Sequence, residues 1–529
     1  MNSNENIEHD GGNGRQESHL AWLLLAIAVY IVRIMPWAMS EFWYDEVLTI
    51  GNFLLDHNEV GLVDCVFRNY PIANNHILSS VVYWYWVRLL DFNLSAEHLI
   101  RIPSIFFGLS TILIVSLHWR KWLGNRVAGL AAMMFAISPV FTAFAYQLRG
   151  YSLSMLLSAI AISGALECAS GKKFIGTVVA FIACLLLPLT IPSNALVVPV
   201  IALVIFLCSD KMCKGMLLAA VPVIGGIIGG CYYFTIWEQF IEASKEPGGW
   251  PSAWAVAQHL AVAFIVHAGI VISCIPFGRK AQADARPRLR RLPPIVLAAT
   301  VVVIGATLLF AHKGQAPYPR VFLVFLPVTT LAVLFAAKDS FLSYSKSFLP
   351  LVAILAVGLA VEKLSTNMTE RELAVGKSPL NLLQQYYRGS SEIRRAASIL
   401  AEEQLLGNCI VITDEYDLPT MELYCTMHSE NARVLSPNKS ERGFILKEPS
   451  TRVLALAKTP EIAARLLSHA GYGTEERLLE LFTDESFADE MRMTLFAECG
   501  EIRGLYAPPI LLKRNTPPPT KENDKSLIL

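Results

Sequence analysis

Apolar residues along this chain gather into long, nearly unbroken blocks. About 20 consecutive apolar residues cross a bilayer as a helix. Blocks of that kind occupy 19–39, 100–118, 127–144, 150–168, 174–189, 192–208, 215–236, 254–277, 293–311, 321–337 and 347–362. They predict an α-helical multi-pass membrane protein with about 11 transmembrane helices. The prolines of "LPLTIPSN" (Leu187–Asn194) predict a tight hairpin between the fifth and sixth blocks. Residues 1–18 are polar, with Arg15 as their sole Lys or Arg, and read as a cytoplasmic tail. The block His19–Met39 is longer than a signal-peptide core, so it reads as a retained first span.

The pattern changes in two places. Residues 40–99 are long for a connection and too apolar for a solvated one. "DEVLTIGNFLLD" places Val47, Ile50 and Leu54 at helical spacing, and "HILSSVVYWYWVRLLD" (His76–Asp91) is apolar and rich in Trp and Tyr. Both predict interfacial helices in the first outer loop, at the depth that aromatic rings prefer. From about 363 to 514 the blocks give way to strand-like "CIVIT" and "RVLALA" and to amphipathic "SEIRRAASILAEEQLL" and "TPEIAARLLSHAGY". This alternation predicts a C-terminal soluble α/β domain after the transmembrane domain of 19–362. The acids of "TDEYD" (Thr413–Asp417) read as a solvated strand-to-helix turn, and 515–529 as a disordered tail.

Charge adds an orientation. Loops on one side carry Arg120, Lys121, Arg126, Lys172, Lys173, Lys211, Lys214, Arg279, Lys280, Arg286, Arg288, Arg290, Arg291, Lys338 and Lys346. The longer loops opposite carry Arg68, Arg88, Arg101, Arg149, Lys245, Lys313 and Arg320. The first side is then cytoplasmic. The N-terminus lies on that side and the C-terminal domain is extracytoplasmic, in a multi-pass cell (inner or plasma) membrane. Composition agrees: 54% of the 529 residues are apolar and 17% charged, where soluble domains average about a quarter charged. The formal net charge is zero, so nothing in it calls for nucleic acid. The ten cysteines show no zinc or CxxC spacing, and a disulfide among Cys409, Cys425 and Cys499 is open.

Ionisable residues at membrane depth are candidates for function. Asp45 and Glu46 follow the first span by six residues. One reading is an N-cap, with Asp45 accepting from a helix that begins at Glu46. The other is a carboxylate base at the outer surface. "YPIANNHILSS" offers Asn75 and His76, "YQLRGYS" offers Arg149 and Tyr151, and "HKGQAPYPRVFL" offers Lys313 and Arg320. Cations at outer span ends suit an anionic headgroup. Arg33 reads either as a snorkelling side chain or as one that orients the acids. A base beside phosphate-binding cations suits transfer of a sugar from a lipid phosphate. The phosphate is already a good leaving group, and the attacking hydroxyl or amine needs a proton acceptor.

The ordered set "WYDE" (Trp43–Glu46), "ANNHILSSVVYWYWVRLLD", "EHLIRIPSIFFGLSTI" (Glu97–Ile112), "AYQLRGYSLSMLL" (Ala145–Leu157) and "YPRVFLVFLPV" (Tyr318–Val328) resembles the GT-C integral-membrane glycosyltransferases. Within them it is similar to the protein O-mannosyltransferase-like class (glycosyltransferase family thirty-nine), whose relatives include the lipid A aminoarabinose transferases. The resemblance runs over roughly 20–340 and is best over 30–165. It implies an inverting, polyprenyl-phosphate-sugar-dependent hexosyl- or pentosyltransferase acting on a lipid, glycan or protein acceptor outside the membrane. It implies no cofactor and no metal, the lipid-linked sugar being a substrate. Asp45 would be the base and Glu46 its support. Arg320, with Arg149 and Lys313, would hold the donor phosphate, although Val321 stands where the family more often has Tyr. Asn75, His76 and Tyr151 would line the groove for acceptor and sugar. Two other classes stay open, a lipid or sugar flippase or transporter and a non-catalytic membrane subunit.

Overall fold

The computed structural model describes residues 12–42, 44–55, 61–68, 75–90, 96–169, 172–209, 212–245, 287–310, 319–343, 393–402, 409–413, 418–429, 431–436, 452–457 and 507–512, with isolated positions at 253, 254, 256, 257, 260, 404, 406, 465, 466, 468 and 469. The chain divides into two compact units. Met1–Ser40 and Asn52–Gly389 form the first; Glu41–Gly51 and Ser390–Leu529 form the second.

Helices follow in order: α1 (Gly12–Ala38), α2 (Tyr44–Thr49), α3 (Ile77–Leu89), α4 (Glu97–Ile100), α5 (Ile102–Leu113), α6 (Arg120–Leu123), α7 (Asn125–Ile137), α8 (Pro139–Ala145), α9 (Tyr151–Ala169), α10 (Lys173–Thr190), α11 (Val198–Cys208), α12 (Met212–Cys231), α13 (Trp237–Lys245), α14 (Pro287–Phe310) and α15 (Leu326–Ser343). All but α2 belong to the first unit. Five segments among the described residues are long and apolar enough to cross a membrane: His19–Ala38, Ile102–Leu123, Tyr151–Cys168, Lys173–Thr190 and Met212–Ile241. Shorter apolar helices occupy Asn125–Ile137, Pro192–Leu207, Pro293–Leu309 and Arg320–Ala336. Each falls on a predicted span. The other two predicted spans, 347–362 and most of 254–277, lie outside the described residues.

Helix α9 is buried along almost its whole length and packs on α5, α10, α11 and α15. By contrast, α1 and α12 turn Leu20, Leu24, Val32, Leu217, Ile227 and Ile228 outward. Apolar side chains facing outward on a helical bundle are what a lipid solvent selects. Small residues let α9 and α10 approach closely: a Cβ on Gly164 would stand 2.7 Å from the Gly176 carbonyl oxygen. Two cations close helix ends. Arg33 Nη1 donates to the carbonyls of Ala136 (3.2 Å) and Ile137, the last of α7. It is thus bound to a helix C-terminus, a role that neither sequence reading had given it. Arg101, fully buried, donates through Nη1 to the carbonyls of Trp37 (3.2 Å), Ala38 (2.9 Å) and Ser40, at the end of α1.

The second unit adds α16 (Ile393–Glu402), β1 (Cys409–Ile412), α17 (Leu418–His428), β2 (Arg433–Leu435), β3 (Arg452–Ala457) and β4 (Ala507–Leu512). The sheet order is β2-β1-β3-β4. Strand β1 is parallel to both neighbours, with Ile410 opposite Arg433 and Val453, and β4 is antiparallel on β3. A parallel pair needs a crossover, and α17 provides it between β1 and β2. Met421, Tyr424 and Cys425 of α17 are buried, as are Ile393, Ala397 and Leu400 of α16, on which α17 packs. Cys425 is a free thiol, pushed up to about 12 by burial, and forms no disulfide.

Candidate functional site

In the first unit the site residues gather where α9 begins. Helix α8 opens on Pro139, with the Ser138 hydroxyl accepting from the Phe141 N–H (3.2 Å). After α8 the backbone bends through Tyr146–Gly150 before α9 starts at Tyr151. This bend is pinned. Ser104 Oγ donates to the Gln147 carbonyl, Gln147 Nε2 donates to the Ala143 carbonyl (2.7 Å), and the Arg101 guanidinium lies 5.2 Å from the Tyr146 ring centre. Ser154 Oγ donates to the Gly150 carbonyl (2.7 Å) and accepts from Asn194 Nδ2 (2.7 Å). The bend is thereby tied to the turn after α10.

His76 precedes α3, and its ring is held against this bend. The Gly150 N–H donates to His76 Nδ1 at 2.7 Å. The ring meets the Tyr151 ring edge-on, with centres 5.2 Å apart, and Phe144 packs on Tyr151 from another side. A Cβ on Gly150 would stand 2.8 Å from Thr190 Cγ2 and 3.0 Å from His76 Nδ1, so glycine is what admits the imidazole. Burial, then the charges of Arg149 and Arg320, hold His76 well below the ordinary histidine range. The ring is therefore neutral, and because Nδ1 accepts, its one proton sits on Nε2. Arg149 Nη2 stands 3.2 Å from that Nε2. Both atoms are donors. The two N–H groups lie side by side at one edge of the ring. Arg149 is buried as well, its guanidinium 5.7 Å from the Tyr151 ring centre. Arg320 is the second residue of a short 3-10 helix, Pro319–Phe325, that packs on α9.

Asn75 is engaged differently. Its Nδ2 donates to the Val66 carbonyl (2.8 Å) and its Oδ1 accepts from Ser80 Oγ (2.9 Å), so the buried amide fastens the loop before α3. Lys313 lies outside the described residues. The structure thus brings His76, Arg149 and Tyr151 together, with the charge of Arg320 acting on His76.

Asp45 and Glu46 belong to the second unit. Helix α2 begins at Tyr44, so Asp45 lies within its first turn rather than at the N-cap of a helix starting at Glu46. Carboxylates are stabilised there by the helix dipole. Both acids are buried. Thr49 Oγ1 donates to the Asp45 carbonyl (2.9 Å). The segment is fastened to its own unit: the Phe42 N–H donates to Tyr424 Oη (2.9 Å), and Glu41 Oε1 lies 4.0 Å from Arg394 Nε. Sequence reasoning missed Gly150 and Tyr424. Gly150 had a signal, a glycine beside an arginine at the start of an apolar block; Tyr424 had none. Among the described residues, no group of three or more His, Cys, Asp or Glu side chains is arranged to hold a metal ion.

No family model and no curated protein sequence matches the chain. Solved structures do. ArnT from Cupriavidus metallidurans in the apo state aligns at a TM-score of 0.53 and 12% identity, over 84% of this chain and 93% of that one. The same protein bound to undecaprenyl phosphate aligns at 0.52 and 12%, over 83% and 93%. The apo oligosaccharyltransferase of Archaeoglobus fulgidus aligns at 0.44 and 13%, over 87% and 68%. By its likeness to ArnT, this chain has the fold of the GT-C integral-membrane glycosyltransferases.

Proposed function

We propose that the protein is an inverting glycosyltransferase that moves a sugar from a polyprenyl phosphate to a lipid, glycan or protein acceptor on the extracytoplasmic side. One observation carries the reading: His76 and Arg149, both buried, stand with Nε2 and Nη2 3.2 Å apart where α9 begins, and the charge of Arg320 acts on the same ring. A phosphate oxyanion is the kind of ligand that such a cluster of cations and N–H donors suits. His76 thereby moves from the sugar groove to the phosphate, leaving Tyr151 to face the sugar or acceptor. Lys313 remains a further candidate for the phosphate, and Asn75 supports the groove by fixing its loop. The ArnT structure with bound undecaprenyl phosphate makes that lipid the natural first probe.

The chemistry is a single displacement. The acceptor hydroxyl or amine attacks the anomeric carbon, and Asp45 takes its proton as the new bond forms. The bond from that carbon to the phosphate oxygen breaks, and its electron pair leaves with the polyprenyl phosphate, whose growing charge the cations stabilise. Attack opposite the leaving group inverts the anomeric centre. Glu46 supports Asp45. No cofactor takes part. The chain crosses the membrane eleven times, with its N-terminus cytoplasmic and a C-terminal α/β domain outside.

Binding of undecaprenyl phosphate to the purified full-length protein tests the phosphate assignment. His76→Asn still offers the Gly150 N–H an acceptor but places no donor at Nε2. Binding should weaken by about tenfold or more, the worth of a hydrogen bond to a charged group. His76→Gln, whose amide nitrogen reaches the Nε2 position, should lose less, and Arg149→Ala should lose at least as much as His76→Asn. Equal binding by all four proteins would rule the assignment out.

A further inference from the structure

Phe42 stands two residues before α2. A backbone N–H ahead of a helix has no partner within it, and a buried one left without an acceptor is destabilising. The Phe42 N–H finds its acceptor 382 residues away in the sequence, at Tyr424 Oη, 2.9 Å distant. Both side chains are fully buried. Helix α2 packs on α17, the helix that carries Tyr424, within one compact unit. The Arg394 contact to Glu41 is long, at 4.0 Å, and its arginine side chain is 44% exposed, so it contributes little. Tyr424 is the stronger fastening. Asp45 follows Phe42 by three residues and lies in the first turn of α2, so the anchor at Phe42 is a short stretch of chain away from it.

We infer that Tyr424 is a positioning residue for glycosyl transfer: its phenol oxygen fixes the start of α2 and thereby the point at which Asp45 presents its carboxylate. This rests on the reading of Asp45 as the base. A base must stand within hydrogen-bonding reach of the proton it takes, and a displacement of about 1 Å can cost on the order of a hundredfold in rate. The C-terminal unit is then part of the catalytic apparatus through a helix that lies far from it in sequence.

The test uses full-length protein, a labelled polyprenyl-phosphate sugar, and hydrogen exchange read on the peptide covering 41–51. Tyr424→Phe keeps the ring and removes the acceptor. The expected result is a loss in kcat of about tenfold or more, with KM for the donor changed less than about twofold. Exchange in 41–51 should quicken while β1 and β3 keep their protection. Arg394→Ala should leave kcat within about twofold. Unchanged kcat in Tyr424→Phe overturns the inference, whatever exchange shows. Exchange that quickens across the whole unit also overturns it, since Tyr424 would then be general support. If Asp45→Asn is inactive and Tyr424→Phe fully active, the inference fails and the base assignment stands. If Asp45→Asn transfers sugar normally, the base assignment fails and takes the inference with it.

Discussion

At the scale of single residues, His76 is held from several sides. One ring nitrogen is committed to the Gly150 N–H, the other faces Arg149, and Tyr151 bounds the ring edge. Burial, then the charges of Arg149 and Arg320, hold the imidazole neutral in the folded protein. An unfolded chain would protonate it as pH falls through the ordinary value of 6.5. The unfolded state then binds more protons than the folded one, so the stability that His76 allows is present above 6.5 and lost as pH drops below it. The loss is at most about 1.4 kcal/mol per pH unit. Apparent melting temperatures at pH 7.5 and 5.5 check this. Wild type should lose more on acidification than His76→Gln, and equal losses would show that the ring takes up a proton in the folded state.

At the scale of elements, the number of spans decides on which side each loop lies. An odd number, with the N-terminus inside, puts the C-terminal unit outside. A reporter fused after Arg514 should therefore be accessible from outside in intact cells; access from the inside alone would remove one span. Much of this level was legible in the sequence, since a transmembrane helix is written as a contiguous block. Among the described residues, the five long apolar segments and the four shorter ones all fall on such blocks. "CIVIT" and "RVLALA" likewise became β1 and β3. Less legible was α17, because "LPTMELYCTMH" mixes apolar and polar residues without a clean stripe. The parallel pairing of β1 and β2 demands a crossover, a constraint made by the fold, and a helix is its usual form. The start of α2 at Tyr44 rather than Glu46 is a boundary difference of the size that helix ends routinely show.

At the scale of the whole molecule, "FWYDEVLTIG" belongs by sequence to the loop after the first span and by packing to the unit built from Ser390–Leu529. No periodicity could have announced this. The link is a backbone N–H meeting a phenol 382 residues on, and long-range pairing of that kind leaves no local trace. The site reads similarly. Its charged residues stood out because cations and acids are rare among apolar blocks, whereas the partners that orient them, Gly150 and Tyr424, are ordinary residues whose importance is geometric. The proposal gives the phosphate to His76, Arg149 and Arg320 and the base to Asp45. Transfer of labelled sugar from a polyprenyl phosphate by purified Asp45→Asn protein, set beside wild type with lipid, peptide and glycan acceptors, tests that account most directly. It predicts a loss of transfer on the order of 10²–10⁴-fold with membrane insertion and donor binding intact; transfer at the wild-type rate would contradict it.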